Sequence, residues 1–362
     1  MMKILVCGSC MPQQFEYKIK DLAAASNQYH LNMINALKEF ADVKVLSYIG
    51  MNLNGVSDEE IEKECLSAGI ECVFKKKNPI RAYFEYQSKL KRLSLWADLI
   101  ISYNIQYVWF GLGHLAKVNG KKSVLVWADH TPISARNNII GKLYAYLSEL
   151  NVKQYQKVVA LSPNMEAYIS SSQEYTISHG CVDYGQFKDF YYKKPSKILT
   201  IMFSGLLAPV TGADLLYEAI KKIQRKDLKI IVTGKGPLEG QFKKVKDERL
   251  DFRGFVSREE YLKLLQEADI LINPRNMNLL ENNNNFPSKI LEYLATGKYI
   301  ISTRFSGWKD YEGLCYFIDS SSDMIAAALD HIMVEDISEE VFKRNREMAF
   351  AHTWNNEIKR FI

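Results

Sequence analysis

Residues 198–234 read ILTIMFSGLLAPVTGADLLYEAIKKIQRKDLKIIVTG, and this stretch decides the fold class. An apolar, β-branched run at Ile198–Phe203 ends at Gly205, a helical pattern follows near Ala213–Ile223, and a second run at Leu228–Thr233 ends at Gly234. Strand, glycine turn, helix and strand in that order predict a parallel sheet with helices packed on its faces. The rhythm continues through Ile270–Ile272, Tyr299–Ser302 and Tyr316–Ile318. It also runs through the first half, where Lys3–Cys7 ends in Gly8-Ser9 and a helical pattern leads through Asn27 to Phe40. Val43–Tyr48, Leu99–Ser102, Ser123–Trp127 and Val158–Leu161 are the further strands of that half. The Lys- and Tyr-rich segment Phe187–Ser196 reads as a linker. The chain is therefore expected to form two α/β domains, 1–190 and 191–345, as its 362 residues suit.

Composition narrows the classes. Hydrophobic residues at 47% and charged residues at 25% describe a folded globular protein. No run of eighteen apolar residues occurs and the apolar start, Ile4–Val6, is too short for a signal peptide, so a cytoplasmic protein is expected. Six cysteines are scattered along the chain; Cys7 and Cys10 have CxxC spacing, but no second pair completes a zinc site, and buried thiols are expected. The net charge of +5 is spread over both halves, which excludes a basic nucleic-acid-binding domain. In open parallel sheets ligands bind beyond the carboxyl ends of the strands, where glycine turns admit a phosphate to backbone amides. Gly8, Gly205 and Gly234 each follow an expected strand and are candidates to line one cleft.

Residues 273–303, NPRNMNLLENNNNFPSKILEYLATGKYIIST, resemble the retaining family 4 glycosyltransferases, especially those that build bacterial capsular polysaccharides and exopolysaccharides. HGCVDYGQF (His179–Phe187), FSGLLAPVTGADLLYEAI, TGKGP (Thr233–Pro237) and DFRGFVSREEYLKLLQEADILINP (Asp251–Pro274) agree with that family in order and spacing. The resemblance is strong over residues 176–354 and weaker before them. It implies a GT-B fold, two Rossmann-like domains facing across a cleft, with 346–362 as a terminal helix packing back on the first domain. It implies a donor site of Gly205, Gly234, Lys235, Phe255, Arg275, Ser288, Lys289 and Glu292, and an acceptor-side loop at Gly8 and Ser9.

The residues of this segment support part of that by themselves. Pro287 suits the first turn of a helix and Gly297 its end, so Ser288–Thr296 is predicted helical, and its first amides form an anion site to which Lys289 adds charge. Glu292, four residues after Ser288, lies on the same side; by the resemblance it accepts hydrogen bonds from ribose hydroxyls, and otherwise it is a solvated charge. Departures from the family are equally specific. Asn284 stands where a first glutamate is usual, and Leu206 and Thr211 stand where an arginine and a lysine neutralise the donor diphosphate. Arg275, Lys289 and Lys235 are candidate substitutes. Asn282–Asn285 reads as a polar loop.

Asp129 and His130 follow the strand Ser123–Trp127 and are the candidate catalytic residues by resemblance; the alternative is a cap and a packed turn. His179 replaces the family's asparagine before Gly180, whereas His30, beside Leu31 and Ile34, reads as structural. Lys75–Trp96 mixes seven basic residues with Tyr83, Phe84, Tyr86 and Trp96, which suits either an anionic membrane surface beside a lipid-linked acceptor or a solvated helix with its aromatics turned inward. The expected activity is transfer of a sugar from a nucleoside diphosphate sugar to a saccharide or lipid-linked saccharide, with retention. No D-x-D triplet occurs, which fits a metal-independent reaction needing no cofactor beyond the donor. A non-catalytic nucleotide-sugar-binding protein and a sugar-nucleotide epimerase on the same fold are the alternatives.

Overall fold

The structure, a computed structural model, describes residues 1–19 and 21–362. It divides into two units, Met1–His179 with Trp354–Ile362, and Gly180–Thr353.

Among the described residues of the first unit, seven strands pair in parallel: β1 (Met2–Gly8), β2 (Ala41–Ile49), β3 (Ile70–Phe74), β4 (Leu99–Tyr103), β5 (Lys122–Trp127), β6 (Lys157–Ala160) and β7 (Glu174–Ile177). Their order is β3-β2-β1-β4-β5-β6-β7, so the direction of winding reverses between β1 and β4. Right-handed crossovers put the helices before and after that reversal on opposite faces. One core gathers Tyr86 and Leu90 of helix Pro79–Trp96, Leu112 and Ala116 of helix Leu112–Val118, and Val152 of helix Ile139–Val152 against Leu5, Leu125 and Trp127 of the sheet. These three helices therefore share a face.

The second unit repeats the plan with β8 (Leu199–Ser204), β9 (Leu228–Thr233), β10 (Leu250–Gly254), β11 (Ile270–Asn273), β12 (Tyr299–Thr303) and β13 (Tyr316–Ile318). All are parallel in the order β10-β9-β8-β11-β12-β13, and the reversal falls between β8 and β11. At such a reversal the loops leaving the two central strands diverge and open a crevice.

The chain changes units at different points from those expected. The division falls at 179/180 rather than 190, because Phe187 is buried in the second unit and the carbonyls of Phe187 and Lys188 accept hydrogen bonds from Arg346. Arg346 lies on helix Glu339–Ala351 and also bonds the Ala295 carbonyl, so 346–353 belong to the second unit. Only Trp354–Ile362 joins the first, through Trp354, Ile358 and Phe361, all buried. The six cysteines are free, and burial pushes the Cys7 and Cys10 thiols up to about 12.

Candidate active site

The second unit's site is built at its winding reversal, from loops held together by glycine. Gly234, at φ +140°, sits so close to the preceding loop that a Cβ there would lie 1.8 Å from the Gly205 carbonyl oxygen. Gly236 (φ +156°) repeats this against Leu207, whose own N–H donates to the Lys235 carbonyl at 2.9 Å. Gly212, at φ +75°, brings the end of the same loop against Pro274 after β11. The loops after β8, β9 and β11 are thus fixed backbone to backbone. Gly205 differs: a Cβ there would make only ordinary contacts, 3.6 Å from Phe203 and 3.8 Å from Lys289.

Helix Lys289–Thr296 joins β11 to β12 and starts at this point. Ser288 occupies its N-cap position with helical backbone angles and no side-chain cap bond, so the helix's first turn is left without the usual side-chain acceptor. Gly297 ends it at φ +73°. Lys289 Nζ donates to Ser204 Oγ at 3.2 Å, lies 5.0 Å from the Tyr261 ring centre, and is held below the usual lysine range by burial and by Arg258. An arriving anion would reverse that imbalance.

Glu292 is not a solvated charge. Arg258 Nη2 donates to its Oε1 at 3.0 Å and the Tyr261 hydroxyl donates to its Oε2 at 3.0 Å. Burial alone would raise its carboxyl, but Arg258, Lys289 and the Tyr261 hydroxyl hold it below the usual range. Arg258 is steadied in turn by Gln186 Oε1, which accepts from its Nε at 2.9 Å. Lys235 Nζ sits 4.8 Å from the centre of the exposed Phe255 ring, the two side chains extending from the loops after β9 and β10. Arg275 donates from Nε to Asn282 Oδ1 at 2.8 Å. The polar asparagine loop is turned largely inward. Asn282, Asn284 and Asn285 are buried, and Asn282 Nδ2 donates to the carbonyls of Val210 and Asn276, both at 2.8 Å, tying the β8 and β11 loops together.

In the first unit Asp129 is exposed after β5, where Asn104 Oδ1 accepts from its N–H at 3.0 Å and Asn104 Nδ2 donates to its Oδ2 at 3.3 Å. It caps no helix. Asn104 holds this position in the left-handed region, at φ +55°. His130 is buried against Trp127 and Tyr168, with Nε2 at 3.2 Å from Glu149 Oε1. Burial and Arg136 lower it to about 4, so it is neutral at pH 7. Gly8 faces His30, whose Nε2 would lie 2.3 Å from a Cβ at that position; half-buried Ser9 follows it.

The comparisons with known proteins bear on the second unit most directly. A family profile described as glycosyl transferases group 1 matches residues 198–334. That segment is similar to group 1 glycosyl transferases. The D-rhamnosyltransferase WbpZ of Pseudomonas aeruginosa is 24% identical over 237 residues, a match that takes in 62% of this chain and 59% of that protein's length. The structure of Anabaena Alr3699/HepE in complex with UDP aligns over 99% of both chains with a TM-score of 0.69 at 14% identity. The lipopolysaccharide outer core galactosyltransferase WaaB, in its apo form, aligns over 99% of this chain and 98% of its own with a TM-score of 0.66 at 13% identity. The fold is GT-B, with two Rossmann-like parallel sheets. Within the matched segment, Arg258 and Tyr261 were missed by sequence reasoning. They share a face of helix Arg258–Glu267 at i and i+3, but nothing local indicates that this face meets a carboxylate 31 to 34 residues away.

Proposed function

We propose that this protein transfers a glycosyl residue from a nucleoside diphosphate sugar to a saccharide or lipid-linked saccharide acceptor, with retention and without a divalent metal. The observation that carries the reading is the convergence, at one winding reversal, of an uncapped helix start at Ser288, Lys289 beside open Gly205, and Glu292 held ionised by Arg258. A diphosphate fits the first two and ribose hydroxyls fit the third. Lys289, Lys235 and Arg275 take the part of the cations absent at Leu206 and Thr211. Similarity to a rhamnosyltransferase, and to a structure bound to UDP, supports a nucleotide-sugar donor.

In this reading the bond from the anomeric carbon to the β-phosphate oxygen breaks while the acceptor hydroxyl oxygen bonds to that carbon from the same face. The hydroxyl proton passes to the departing phosphate. Backbone amides at Ser288 and the Lys289 ammonium stabilise the charge that grows on that phosphate, and Asp129 with neutral His130 belongs to the acceptor side. The test is a thermal-shift screen of UDP, GDP and their sugars, followed by turnover with the donor that binds. Turnover is expected to survive excess EDTA and to fall about tenfold or more in Lys289→Ala. Glu292→Ala is expected to weaken nucleotide binding by about 1.5–3 kcal/mol. Loss of turnover in EDTA with recovery in Mn²⁺ overturns the metal-free donor site, and donor binding with neither transfer nor slow hydrolysis favours a non-catalytic binding protein.

A further inference from the structure

Helix Ile139–Val152 of the first unit is amphipathic in the wrong sense for a helix with nothing on its outer side. Ala145, Ser148 and Val152 face the protein and are buried. On the opposite side Ile139, Leu143, Tyr146 and Leu150 recur at i, i+4, i+7 and i+11, a single straight stripe, and their exposure runs from 39% at Leu150 to 84% at Ile139. Ile140, beside the first of them, is 82% exposed. Contiguous apolar surface of this kind marks a face that is covered in use.

The stripe does not stand alone. Helix Pro79–Trp96 lies on the same face of the sheet, and both helices begin at the carboxyl ends of parallel strands, so their first turns share one rim. One turn, Tyr107–Trp109, braces the two. Gln87 Nε2 donates to the Val108 carbonyl at 2.8 Å, Phe110 stacks on Tyr144 at 5.8 Å, and the Tyr144 hydroxyl donates to the Ile105 carbonyl at 2.7 Å. Near this brace, helix Pro79–Trp96 exposes Ile80 and Phe84, while Tyr86 turns into the core.

Charge identifies what covers this rim. Lys142 and Lys153 are exposed along one edge of the stripe, and Lys75, Lys77 and Arg81 are exposed around Ile80 and Phe84. The nearby carboxylates face cations: Glu85 pairs with Lys76 at 3.6 Å and with Lys89 at 3.9 Å, and Glu149 lies in the field of Lys153. Apolar side chains ringed by lysine and arginine match an anionic lipid surface, where the first enter the acyl boundary and the second meet headgroups. A second copy of this chain is a poorer fit, since a two-fold axis would set these cations against each other.

We propose that this rim, led by the Ile139–Leu150 stripe, seats the protein on an anionic phospholipid bilayer. The proposal is independent of the donor site and of sugar transfer. It is tested by floating the intact chain with vesicles of phosphatidylcholine and phosphatidylglycerol, and with phosphatidylcholine alone. Wild type is expected to float with the anionic vesicles at low ionic strength and not with the neutral ones. The Leu143→Ser/Tyr146→Ser double variant, exposed at both positions and expected to keep its melting temperature, should lose about tenfold or more in vesicle affinity. Lys142→Ser and Lys153→Ser should each cost about fivefold, as should each serine replacing Lys75 or Lys77. As an independent reading, Leu143→Trp should shift its emission to the blue on anionic vesicles. Failure of wild type to float, or a folded double variant that floats as wild type does, overturns the proposal. A wild-type dimer that the double variant converts to monomer, without vesicle binding, assigns the stripe to a second copy instead.

Discussion

Gly205 and Gly234 follow adjacent parallel strands and look alike in the sequence, yet they have different reasons to be glycine. Gly234 combines φ +140° with a backbone oxygen 1.8 Å from any Cβ, so Gly234→Ala must displace the Gly205 loop and is expected to cost about 2 kcal/mol or more of stability. Gly205→Ala meets only ordinary contacts and is expected to cost less than about 1 kcal/mol. If the open space at Gly205 receives the diphosphate, the same alanine should nevertheless weaken nucleotide binding several-fold. Denaturant titrations of the two variants, with and without UDP or GDP, check both statements; equal stability losses would refute the distinction. Buried histidine gives a second test at this scale. His30 is lowered to about 4 by burial against an unfolded value of 6.5, so below pH 6.5 the unfolded chain binds a proton that the folded one refuses. Its stabilising contribution is therefore complete above pH 6.5 and is lost as pH falls to about 4. His30→Gln should reduce the slope of stability against pH in that window by about 1.4 kcal/mol per pH unit. An unchanged slope would mean that His30 is not held neutral.

Helix Lys289–Thr296 and helix Arg258–Glu267 work as a pair. The first carries Glu292 and Lys289; the second supplies Arg258 and Tyr261, which orient the carboxylate and fix its ionisation. Tyr261→Phe removes one hydrogen bond to a charged acceptor while leaving the ring under Lys289, so it should weaken nucleotide binding about three- to tenfold with little loss of stability. Arg258→Ala should do more, because it also frees Gln186 and lets the Glu292 carboxyl rise toward its ordinary range. Isothermal titration of a nucleoside diphosphate into each variant decides this, and wild-type affinity in both would remove Glu292 from the nucleotide site. The strands carry a lesson of the same size. Those absent from the sequence reading, β3, β7 and β10, are all edge strands. β7 and β10 lie half in solvent and lack the continuous apolar run that marks a central strand.

For the molecule as a whole, the nine residues Trp354–Ile362 belong to the first unit although the chain reaches them only after completing the second. Trp354 meets Tyr29 at 4.9 Å edge-on and Phe361 is wholly buried. Phe361→Ala should therefore cost about 3–5 kcal/mol in the unfolding of the first unit. Hydrogen exchange should show lost protection in helix Ala24–Lys38 and none in β8–β13; the opposite pattern would contradict the assignment. Among the described residues no helix is long and apolar enough to cross a membrane, so the exposed stripe on helix Ile139–Val152 is a surface rather than a span.

By itself the sequence determined what depends on neighbours within a dozen positions. Apolar runs closed by glycine marked the central strands, the pattern between them marked the crossover helices, and Pro287 with Gly297 bounded the helix that starts at the proposed donor site. Parallel pairing follows from that alternation, and the ordered landmarks after residue 176 carried the resemblance to the transferases. What only the tertiary structure decided are the relations between distant segments. These are the meeting of Arg258 and Tyr261 with Glu292, the burial of Asn282, Asn284 and Asn285 between two loops, and the return of the chain's end to the first unit. The stripe from Ile139 to Leu150 belongs with them. Its periodicity is legible in the sequence, but periodicity shows only that a helix has an apolar side; whether protein covers that side is settled by which elements the sheet places next to it.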